Sequence, residues 1–449
     1  MLELIVIAIF IIGLINCISM SLSVIYALLF GVILFSSYAK IKGFSAKEIL
    51  AMLIAGMKKV KNILLVFVCI GCLTAIWRIC GTIPYIVYYS ADLIIPDIFV
   101  FCSFALCCIL SYLTGSSFAT AGTVGTICMM LGNASGIPQI PLGGAIMSGC
   151  YFGDRCSPMS SSALLVAEVT KTNIYDNIKS MFKTATIPFI ISCALYLLLS
   201  YDSQGILQNQ SLAIFQESFR MHWICLIPAL LTILLCACKV EVKKTMIVSV
   251  VVGILICLGI QKVSLSYIIK TMLFGFHPIG NEELSILLEG GGISSMVNVA
   301  CIVCLSSCFS GIFDKTGLLN PIEGKLKKLS YWITKEGTFL LTAILTCMLS
   351  CNQSLAAILT NELSQLYEPD EKKRASWLED TVIVIAPLIP WSVASAVPLA
   401  ILGVPVASLL YAWYLYLLPI FLLFSGMVSV ISTRNNKTYL EIKIIIRIC

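Results

Sequence analysis

A polar segment, GDRCSPMSSS at residues 153–162, interrupts an otherwise apolar part of the chain. The apolar stretch GGAIMSGCYF precedes it, and ALLVAEV follows it. An aspartate within the membrane marks a functional site by default, because its insertion costs a few kcal/mol. The carboxylate of Asp154 can hold a cation when it is ionised or a proton when it is neutral, but never both. This exclusivity suits the exchange of one ion for the other.

The proline in this segment predicts a broken helix. Pro158 lacks an N–H and clashes with the carbonyl four residues earlier, so Asp154 loses its helical partner. Unwound backbone is tolerated in a membrane where it is buried in protein or lines a cavity, and its carbonyls can coordinate Na⁺. We therefore expect a small hard cation, such as an alkali ion, at Asp154, with hydroxyl ligands from nearby serines. Those serines are Ser157, Ser160, Ser161 and Ser162.

Two alternatives apply to the charged pair of this segment. Asp154 and Arg155 could form a loop turn at the membrane surface instead of an intramembrane site. Arg155 itself has two possible places, at the water interface or paired with an acid. Apolar sequence lies close to the pair on both sides along the chain, which favours the intramembrane interpretation.

A second polar break, TGSSFATAGTVG, covers residues 114–125. In a helix its hydroxyls share one face and its small residues share an adjoining face, which permits close helix packing. The hydroxyls are candidate oxygen ligands, although Ser and Thr also bond to their own backbone. The hydroxyl face consists of Ser116, Thr120 and Thr123, and the small face of Gly115, Ala119 and Gly122.

The second half of the chain carries comparable residues. Asn352 and Gln353 offer neutral amide oxygens, and Glu379 and Asp380 precede the segment TVIVIAPLIPW. We expect this acidic pair to begin a helix, where acids complement the helix dipole. Two prolines are expected to break that helix, Pro387 and Pro390.

The composition indicates the elements that must position these residues. The chain has 449 residues, of which 59% are hydrophobic and 12% are charged, whereas soluble proteins carry about 25% charged residues. Apolar runs of about 20 residues recur, as membrane-spanning helices require. The sequence predicts an all-α polytopic membrane protein with about 10–13 transmembrane helices. The first apolar stretch, residues 1–19, is interpreted as a retained helix because it lacks a basic segment before it.

The charge distribution and the cysteine and histidine content argue against a nucleic-acid partner and a bound cofactor. The net charge of +6 resides in short lysine-rich loops, as is typical of cytoplasmic loops, so nucleic-acid binding is not expected. The 21 cysteines are scattered through apolar runs and are interpreted as core residues in a reducing compartment. The chain has two histidines, and His277 is interpreted as a loop residue. No cofactor is expected.

Matched breaks in the two halves predict two inverted transport repeats, a common plan of secondary transporters. In each half a small, polar break comes first and a proline-centred break second. The alternative is that glycine and proline are simply frequent in membrane helices. The expected divisions are N-terminal transmembrane helices at 1–45, a first repeat at 46–200, a polar connection at 201–221, a second repeat at 222–431 and a tail at 432–449.

Two further segments predict short re-entrant hairpins. The stretch GTIPYIVYYSADLIIP, residues 81–96, is bracketed by Pro84 and Pro96, and Pro84 is expected to break a helix. Its expected counterpart is GGGISSMVNVACIV at residues 290–303.

Taken together, these stretches resemble the NhaC family of bacterial Na⁺/H⁺ antiporters within the ion transporter superfamily. The resemblance spans roughly residues 50–430 and preserves the family order. The motifs that carry it are GTIPYIVYY, TGSSFATAGTVG, GCYFGDRCSPMS, GGGISSM with SGIFDKTGLL, and LEDTVIVIAPLIPW.

The resemblance implies a secondary transporter of the bacterial inner membrane, with paired re-entrant hairpins and a homodimeric assembly. Its cargo would be Na⁺ exchanged for H⁺, or an organic solute exchanged with these ions. The implied ion site comprises Ser116, Ser117, Thr120, Asp154, Ser157, Pro158 and Ser160, with Asn352, Glu379, Asp380 and the Pro387–Pro390 break.

The chain departs from the family at one place. After the GD…SP core the family pattern is S-D-T-T-N, whereas residues 160–164 read S-S-S-A-L. A serine thus replaces the second carboxylate, and Leu164 replaces the asparagine. One fewer negative charge weakens Na⁺ binding or suits a cargo that brings its own charge. Transport of an amino acid or a small organic acid, coupled to Na⁺ or H⁺, is the alternative function.

A membrane-embedded aspartyl protease is a remote alternative from another class. Such enzymes require G-x-G-D, whereas Tyr151 and Phe152 precede the Gly153–Asp154 pair. The Y-D pairs at 175–176 and 201–202 also follow this aspartate instead of preceding it. The zinc-protease motif H-E-x-x-H does not occur in the sequence.

Overall fold

The computed structural model describes residues 2–20, 22–90, 96–202, 215–238, 240–278, 284, 288–318, 330, 332–350 and 352–426. These residues are predominantly helical, and within them the β structure is an isolated bridge between Phe276 and Gly290. The prediction of an all-α membrane protein is confirmed.

The described residues up to 202 form eleven helices, and several are separated by breaks of only one or two residues. They are α1 Leu2–Ser19, α2 Val24–Ile41, α3 Ala46–Lys59, α4 Lys61–Ile79, α5 Thr82–Ser90, α6 Pro96–Thr114, α7 Ser117–Thr120, α8 Thr126–Ala134, α9 Gln139–Cys156, α10 Ser161–Thr170 and α11 Ile174–Asp202. A π-helical turn, Ala121–Gly125, joins α7 to α8 as one continuous run.

The second half contains helices of similar lengths and several short 3₁₀ turns, at Trp223–Leu226, Ala386–Leu388 and Val406–Tyr411. The helices are α12 Ile227–Ala237, α13 Val242–Gly259, α14 Leu265–Phe274, α15 Gly292–Ser295, α16 Val297–Thr316, α17 Lys335–Ser350, α18 Gln353–Ser364, α19 Glu371–Asp380, α20 Val382–Ile385, α21 Val393–Leu402 and α22 Trp413–Gly426.

Within the part of the chain that the structure describes, three helical segments are individually long and apolar enough to cross a membrane. They lie at Val24–Ile41, Asp97–Thr114 and Ile174–Ser200. A bent pair, Glu371–Leu388 with Val393–Leu402, adds a fourth span if it counts as one, and its two parts meet at 53°. Shorter apolar helical segments, of 10–17 residues, also occur among the described residues. The total of about 10–13 transmembrane helices stays a prediction.

The core is organised around α9, which packs lengthwise against α6. Gly153 permits this contact, because a Cβ atom there would overlap the backbone carbonyl of Ser111. The Ser111 hydroxyl donates to the Gly149 carbonyl at 2.7 Å, and the Gly153 N–H donates to the same hydroxyl at 3.0 Å. This contact fixes the end of α9, which carries Asp154, against the end of α6.

The helix breaks occur mainly where the sequence predicts them. Gly115 has a φ of +64° between α6 and α7, a conformation that glycine adopts without steric cost. Pro158 lies in the gap between α9 and α10, and Pro390 lies between α20 and α21. Pro387 belongs to the 3₁₀ turn at Ala386–Leu388. Gly122 lies in the π-helical turn, so there the helix widens instead of ending.

The expectation that Pro84 breaks a helix is wrong. Pro84 lies in the first turn of α5, where a missing N–H costs no helical hydrogen bond. The break before it falls at Cys80 and Gly81, and Gly81 has a φ of +82°. Proline therefore marks the start of this helix, and glycine marks the end of the preceding one.

Several predicted segments lie partly or wholly outside the described residues. These are residues 91–95 of the first predicted hairpin, residues 203–214 of the polar connection and the tail at 432–449. The predicted counterpart hairpin, residues 290–303, forms a glycine turn, α15 and the beginning of α16. The division into repeats and the pairing of the hairpins stay predictions.

The contact between α6 and α9 predicts that Gly153→Ala destabilises the protein by about 2–3 kcal/mol, the cost of overpacking at a backbone contact. The measurement is thermal unfolding of the detergent-solubilised protein, followed with a dye that reacts with newly exposed cysteines. Gly259→Ala is the matched control, since a Cβ atom at that position would meet nothing within 4 Å. Equal unfolding temperatures for the two variants would contradict this account of helix packing.

Candidate functional site

Asp154 lies in the last turn of α9, and its side chain is buried, with 4% exposed. Its Oδ1 accepts a hydrogen bond from the Ser160 hydroxyl at 3.2 Å. Its Oδ2 accepts from the Ser162 hydroxyl at 3.1 Å and from Gln353 Nε2 at 3.2 Å. All three donors are neutral. Among the described residues, no cationic side chain forms an ion pair with this carboxylate.

The break after Asp154 has the unwound backbone that Pro158 predicts. Ser157 ends α9 in an extended conformation, and Ser160 begins α10 as its N-cap. The Ser160 hydroxyl donates to the freed carbonyl of Asp154 and accepts from the N–H groups of Ser162 and Ala163. The Ser157 hydroxyl accepts from the N–H of Met159 at 3.2 Å. Serines thus satisfy much of the broken backbone and stabilise the end of α9.

The corresponding breaks in the two halves have similar backbone angles. Ser116 caps α7 at φ −140° and ψ 115°, and Asn352 caps α18 at φ −139° and ψ 126°. Ser160 caps α10 at φ −69° and ψ 130°, and Ser392 caps α21 at φ −73° and ψ 143°. The breaks therefore correspond in local geometry as well as in order along the chain.

A cavity of about 140 Å³ lies where these four helical segments begin. The segments are the continuous run from α7 to α8, and α10, α18 and α21. Unpaired N–H groups at helix N-termini carry partial positive charge. The cavity is lined by Ser116, Ser117, Phe118, Asp154, Ser161, Ser162, Asn352, Gln353, Ser354, Val393 and Ala394.

Seven of the predicted site residues line this cavity together. They are Ser116, Ser117, Asp154, Ser161, Ser162, Asn352 and Gln353. Gln353 contacts Asp154 directly, but it presents its N–H group and not the amide oxygen that the sequence suggested. The same Nε2 also donates to the Ile383 carbonyl at 3.2 Å. This amide therefore links the proline-broken segments of the two halves.

The other predicted site residues lie outside the cavity lining. Thr120 is buried, and its hydroxyl donates to the Ser116 carbonyl at 3.0 Å. Gly115 packs against the other break, since a Cβ atom there would lie 2.5 Å from the Met159 carbonyl carbon. The remaining members outside the lining are Ser157, Ser160, Glu379 and Asp380. They surround the site or support it.

Arg155 pairs with an acid and does not lie at the water interface. Its guanidinium is fully buried and forms an ion pair with Asp380. It also donates to the Thr184 hydroxyl at 2.7 Å, and to the carbonyls of Met181 at 3.0 Å and Glu379 at 3.1 Å. The alternative of a surface turn at Asp154 and Arg155 is therefore wrong, because both side chains are buried.

The expectation that Glu379 and Asp380 begin a helix is also wrong. They are the last two residues of α19, and Thr381 interrupts the helix at φ −126° and ψ −75°. A carboxylate at a helix C-terminus opposes the helix dipole, and Arg155 compensates for Asp380. Glu379 is also buried, and neither of its carboxylate oxygens has a hydrogen-bond partner among the described residues.

Sequence reasoning missed the partners of two buried aromatic residues, one of which joins the two halves and one of which lies within the second half. The Tyr151 hydroxyl donates to the Ala394 carbonyl at the start of α21. Trp391 is buried, and its Nε1 donates to the Met348 carbonyl at 2.9 Å. Both are polar groups of aromatic residues that need a partner when buried, but the sequence does not indicate which partner.

A buried carboxylate beside a small cavity, formed between broken membrane helices, is the arrangement found in secondary active transporters. The model of the Na⁺/H⁺ antiporter family matches residues 149–430. The chain belongs to this family of membrane transporters, and the matched region contains Asp154 and all the second-half residues of the site.

Curated relatives cover most of the chain. The malate-2H⁺/Na⁺-lactate antiporter of Bacillus subtilis (strain 168) is 27% identical over 388 residues, 83% of this chain and 82% of the relative. The Na⁺/H⁺ antiporter NhaC of Alkalihalophilus pseudofirmus is 26% identical over 394 residues, 84% of each chain. The arginine/ornithine antiporter ArcD of Halobacterium salinarum is 28% identical over 370 residues, 79% of this chain and 76% of the relative. The predicted NhaC resemblance is confirmed.

The buried ion pair predicts different effects for two adjacent substitutions. Asp380→Asn leaves the Arg155 guanidinium without its charged partner and should cost about 3 kcal/mol of stability. Glu379→Gln keeps the size of the side chain and removes no hydrogen bond of the described residues. The unfolding temperature of each variant in detergent measures the difference. A larger loss for Glu379→Gln than for Asp380→Asn would contradict the assigned pairing.

Proposed function

We propose that the protein exchanges Na⁺ for H⁺ across the cell inner membrane, with Asp154 as the group that both ions share. The observation that carries this proposal is the buried carboxylate at the cavity, whose hydrogen-bond donors among the described residues are all neutral. A buried carboxylate without a cationic partner is stabilised by binding a proton or a metal cation. Na⁺ and H⁺ therefore compete for the same oxygens.

The surrounding groups support both forms of this carboxylate. Hydrogen bonds from Ser160, Ser162 and Gln353 stabilise the ionised form after the proton leaves. The hydroxyls of Ser116 and Ser117 and the amide oxygen of Asn352 are further candidate oxygen ligands for Na⁺. Asp154 is the acidic residue of the cavity lining, so a single negative charge holds the cation.

The exchange proceeds by alternating access in this proposal. The extended residues around Pro158 and Pro390 let the half-helices on either side change their relative angle, and the second-half pair meets at 53°. Gln353 contacts Asp154 in the first half and the Ile383 carbonyl in the second. Binding of Na⁺ or H⁺ at Asp154 therefore affects the helical segments of both halves. Any net charge moved couples to the membrane potential at about 2.3 kcal/mol per 100 mV.

A second candidate function is exchange of a small organic acid or an amino acid, coupled to Na⁺ or H⁺. The specific observation in its favour is the convergence of four helix beginnings on a cavity with one carboxylate. Half-helix N-termini in transporters point at anionic substrate groups. The malate/lactate and arginine/ornithine relatives fit this candidate at similar identity.

The proposal also includes the expected setting of the protein. It acts in the bilayer, binds a small ion or small molecule, contains no cofactor and binds no nucleic acid. Assembly as a homodimer stays a prediction, as does the absence of any enzymatic conversion of the cargo.

The proposed exchange predicts that Asp154→Asn abolishes Na⁺-driven proton movement, because an amide cannot alternate between proton and cation. The test uses proteoliposomes with a pH-sensitive dye and an imposed pH gradient, to which Na⁺ is added. Asp176→Asn, at an exposed aspartate in the first turn of α11, is the matched control and should retain exchange. Undiminished exchange in folded Asp154→Asn would contradict the assigned role.

The second candidate predicts counterflow of a labelled organic acid. Proteoliposomes preloaded with unlabelled lactate or malate should accumulate the labelled acid, and Ser161→Asp should reduce this uptake at least tenfold, since a new carboxylate repels the cargo. The same variant should retain Na⁺ exchange, because it restores the second acid of the family pattern. Accumulation that Ser161→Asp does not affect would place the cargo elsewhere, and no accumulation in the unmodified protein would exclude these acids.

A further inference from the structure

A second cavity, of about 290 Å³, lies apart from the Asp154 cavity. Its lining includes Arg78, Asn133, Gln139, Glu289 and Gly290. The cavity approaches the lower limit of the ~300–1,000 Å³ typical of small-molecule pockets.

Three helical segments run between the two cavities. The run from α7 to α8 begins at the Asp154 cavity with Ser117 and reaches the second cavity near its end, at Asn133. Helix α21 likewise begins at the first cavity and ends at the second, and α9 runs in the opposite sense, from Gln139 to Asp154. The ten residues of α21, which reaches from one cavity to the other, span about 15 Å at 1.5 Å per residue. The cavities therefore lie at opposite ends of the same helices.

Arg78 is a charged group of this cavity for which the described residues supply no charged partner. It lies in the last turn of α4, and its Nη1 donates to the Thr74 carbonyl at 2.7 Å. Its Nε is buried without a hydrogen-bond partner. Among the described residues no carboxylate forms an ion pair with its guanidinium. The helix C-terminus favours a cation, but that effect does not satisfy the Nε–H group.

Glu289, the acidic residue in the lining of the same cavity, contacts His277. Glu289 Oε1 lies 2.8 Å from His277 Nδ1, and His277 Nε2 lies 3.1 Å from the Phe274 carbonyl. His277 is an exposed loop residue, as the sequence predicts. Its contact occupies a carboxylate oxygen of Glu289. Among the described residues, Glu289 contacts His277 and forms no ion pair with Arg78.

The backbone beside Arg78 leaves room for a ligand. Gly290 has no Cβ atom. A Cβ atom at this position would lie 4.0 Å from Arg78 Nη2, its nearest neighbour. The bridge to Phe276 holds this glycine in place through hydrogen bonds of 2.9 and 3.0 Å. A side chain at this position would project into the space beside the guanidinium, which glycine leaves open.

We propose that this second cavity binds a small organic carboxylate, with Arg78 as its principal ligand. A partly buried guanidinium without a counter-ion is costly, and its planar set of N–H donors matches a carboxylate in two parallel hydrogen bonds. The side-chain amides of Asn133 and Gln139 supply further neutral donors at the exposed mouth. This inference does not rest on Na⁺ exchange at Asp154.

The experiment measures ligand-induced thermal stabilisation and binding to the full-length purified protein. Lactate and succinate are added as N-methyl-D-glucamine salts, so that no small cation is introduced, with chloride at the same ionic strength as reference. Binding should weaken at least tenfold in Arg78→Gln and less in Arg78→Lys, which retains a point charge but not the planar donor set. Binding should remain unchanged in Arg220→Gln and in Asp176→Asn, which alter exposed residues outside the lining of both cavities.

Further outcomes test the charge of the ligand, the class of anion, the binding residue and the cavity. Lactamide and succinamide should not bind, since they lack the charge that Arg78 recognises. Equal binding of inorganic phosphate would overturn the assignment to carboxylates, and equal binding by Arg78→Gln would overturn the assigned residue. Loss of binding in Asp154→Asn but not in Arg78→Gln would place the carboxylate in the first cavity. If Arg78→Gln does not fold, Asn133→Leu, at an exposed lining residue, must weaken binding for the proposal to stand.

Discussion

The arrangement of the site depends on the hydrogen bonds that hold the Asp154 carboxylate. Two donors follow it closely in the chain, and the third, Gln353, comes from the other half. The backbone contact of Gly153 with Ser111 places this carboxylate beside the first break of its own half. One acid thus connects the breaks of both halves, which is the requirement for an ion whose binding changes the relative position of helices.

A second acid of similar burial has a structural role. Asp380 neutralises Arg155 in the interior, and Arg155 in turn donates to the carbonyl of Glu379 at the end of α19. Because Arg155 follows Asp154 directly, the ion pair positions α9 against α19. The two neighbouring charges at 154 and 155 are therefore separated in function: Arg155 anchors the helix, and Asp154 faces the cavity.

Much of this arrangement could be predicted from the sequence. Hydropathy gives the all-α membrane class, and the residues around Pro158 and Pro390 give the breaks, because proline removes a helical hydrogen bond wherever it is not in the first turn. Pro84 shows the limit of that rule, since it begins a helix. Which residue pairs with Arg155, and which group of Gln353 faces Asp154, depend on tertiary contacts that no local pattern encodes.

The most direct test of the central claim is the number of protons released when Na⁺ binds to the purified protein in weakly buffered detergent solution. If Na⁺ and H⁺ share Asp154, Na⁺ should release protons from the unmodified protein and none from Asp154→Asn, and release should fall at a pH where Asp154 is already deprotonated. Na⁺ binding without proton release, or equal release from Asp154→Asn, would contradict the account.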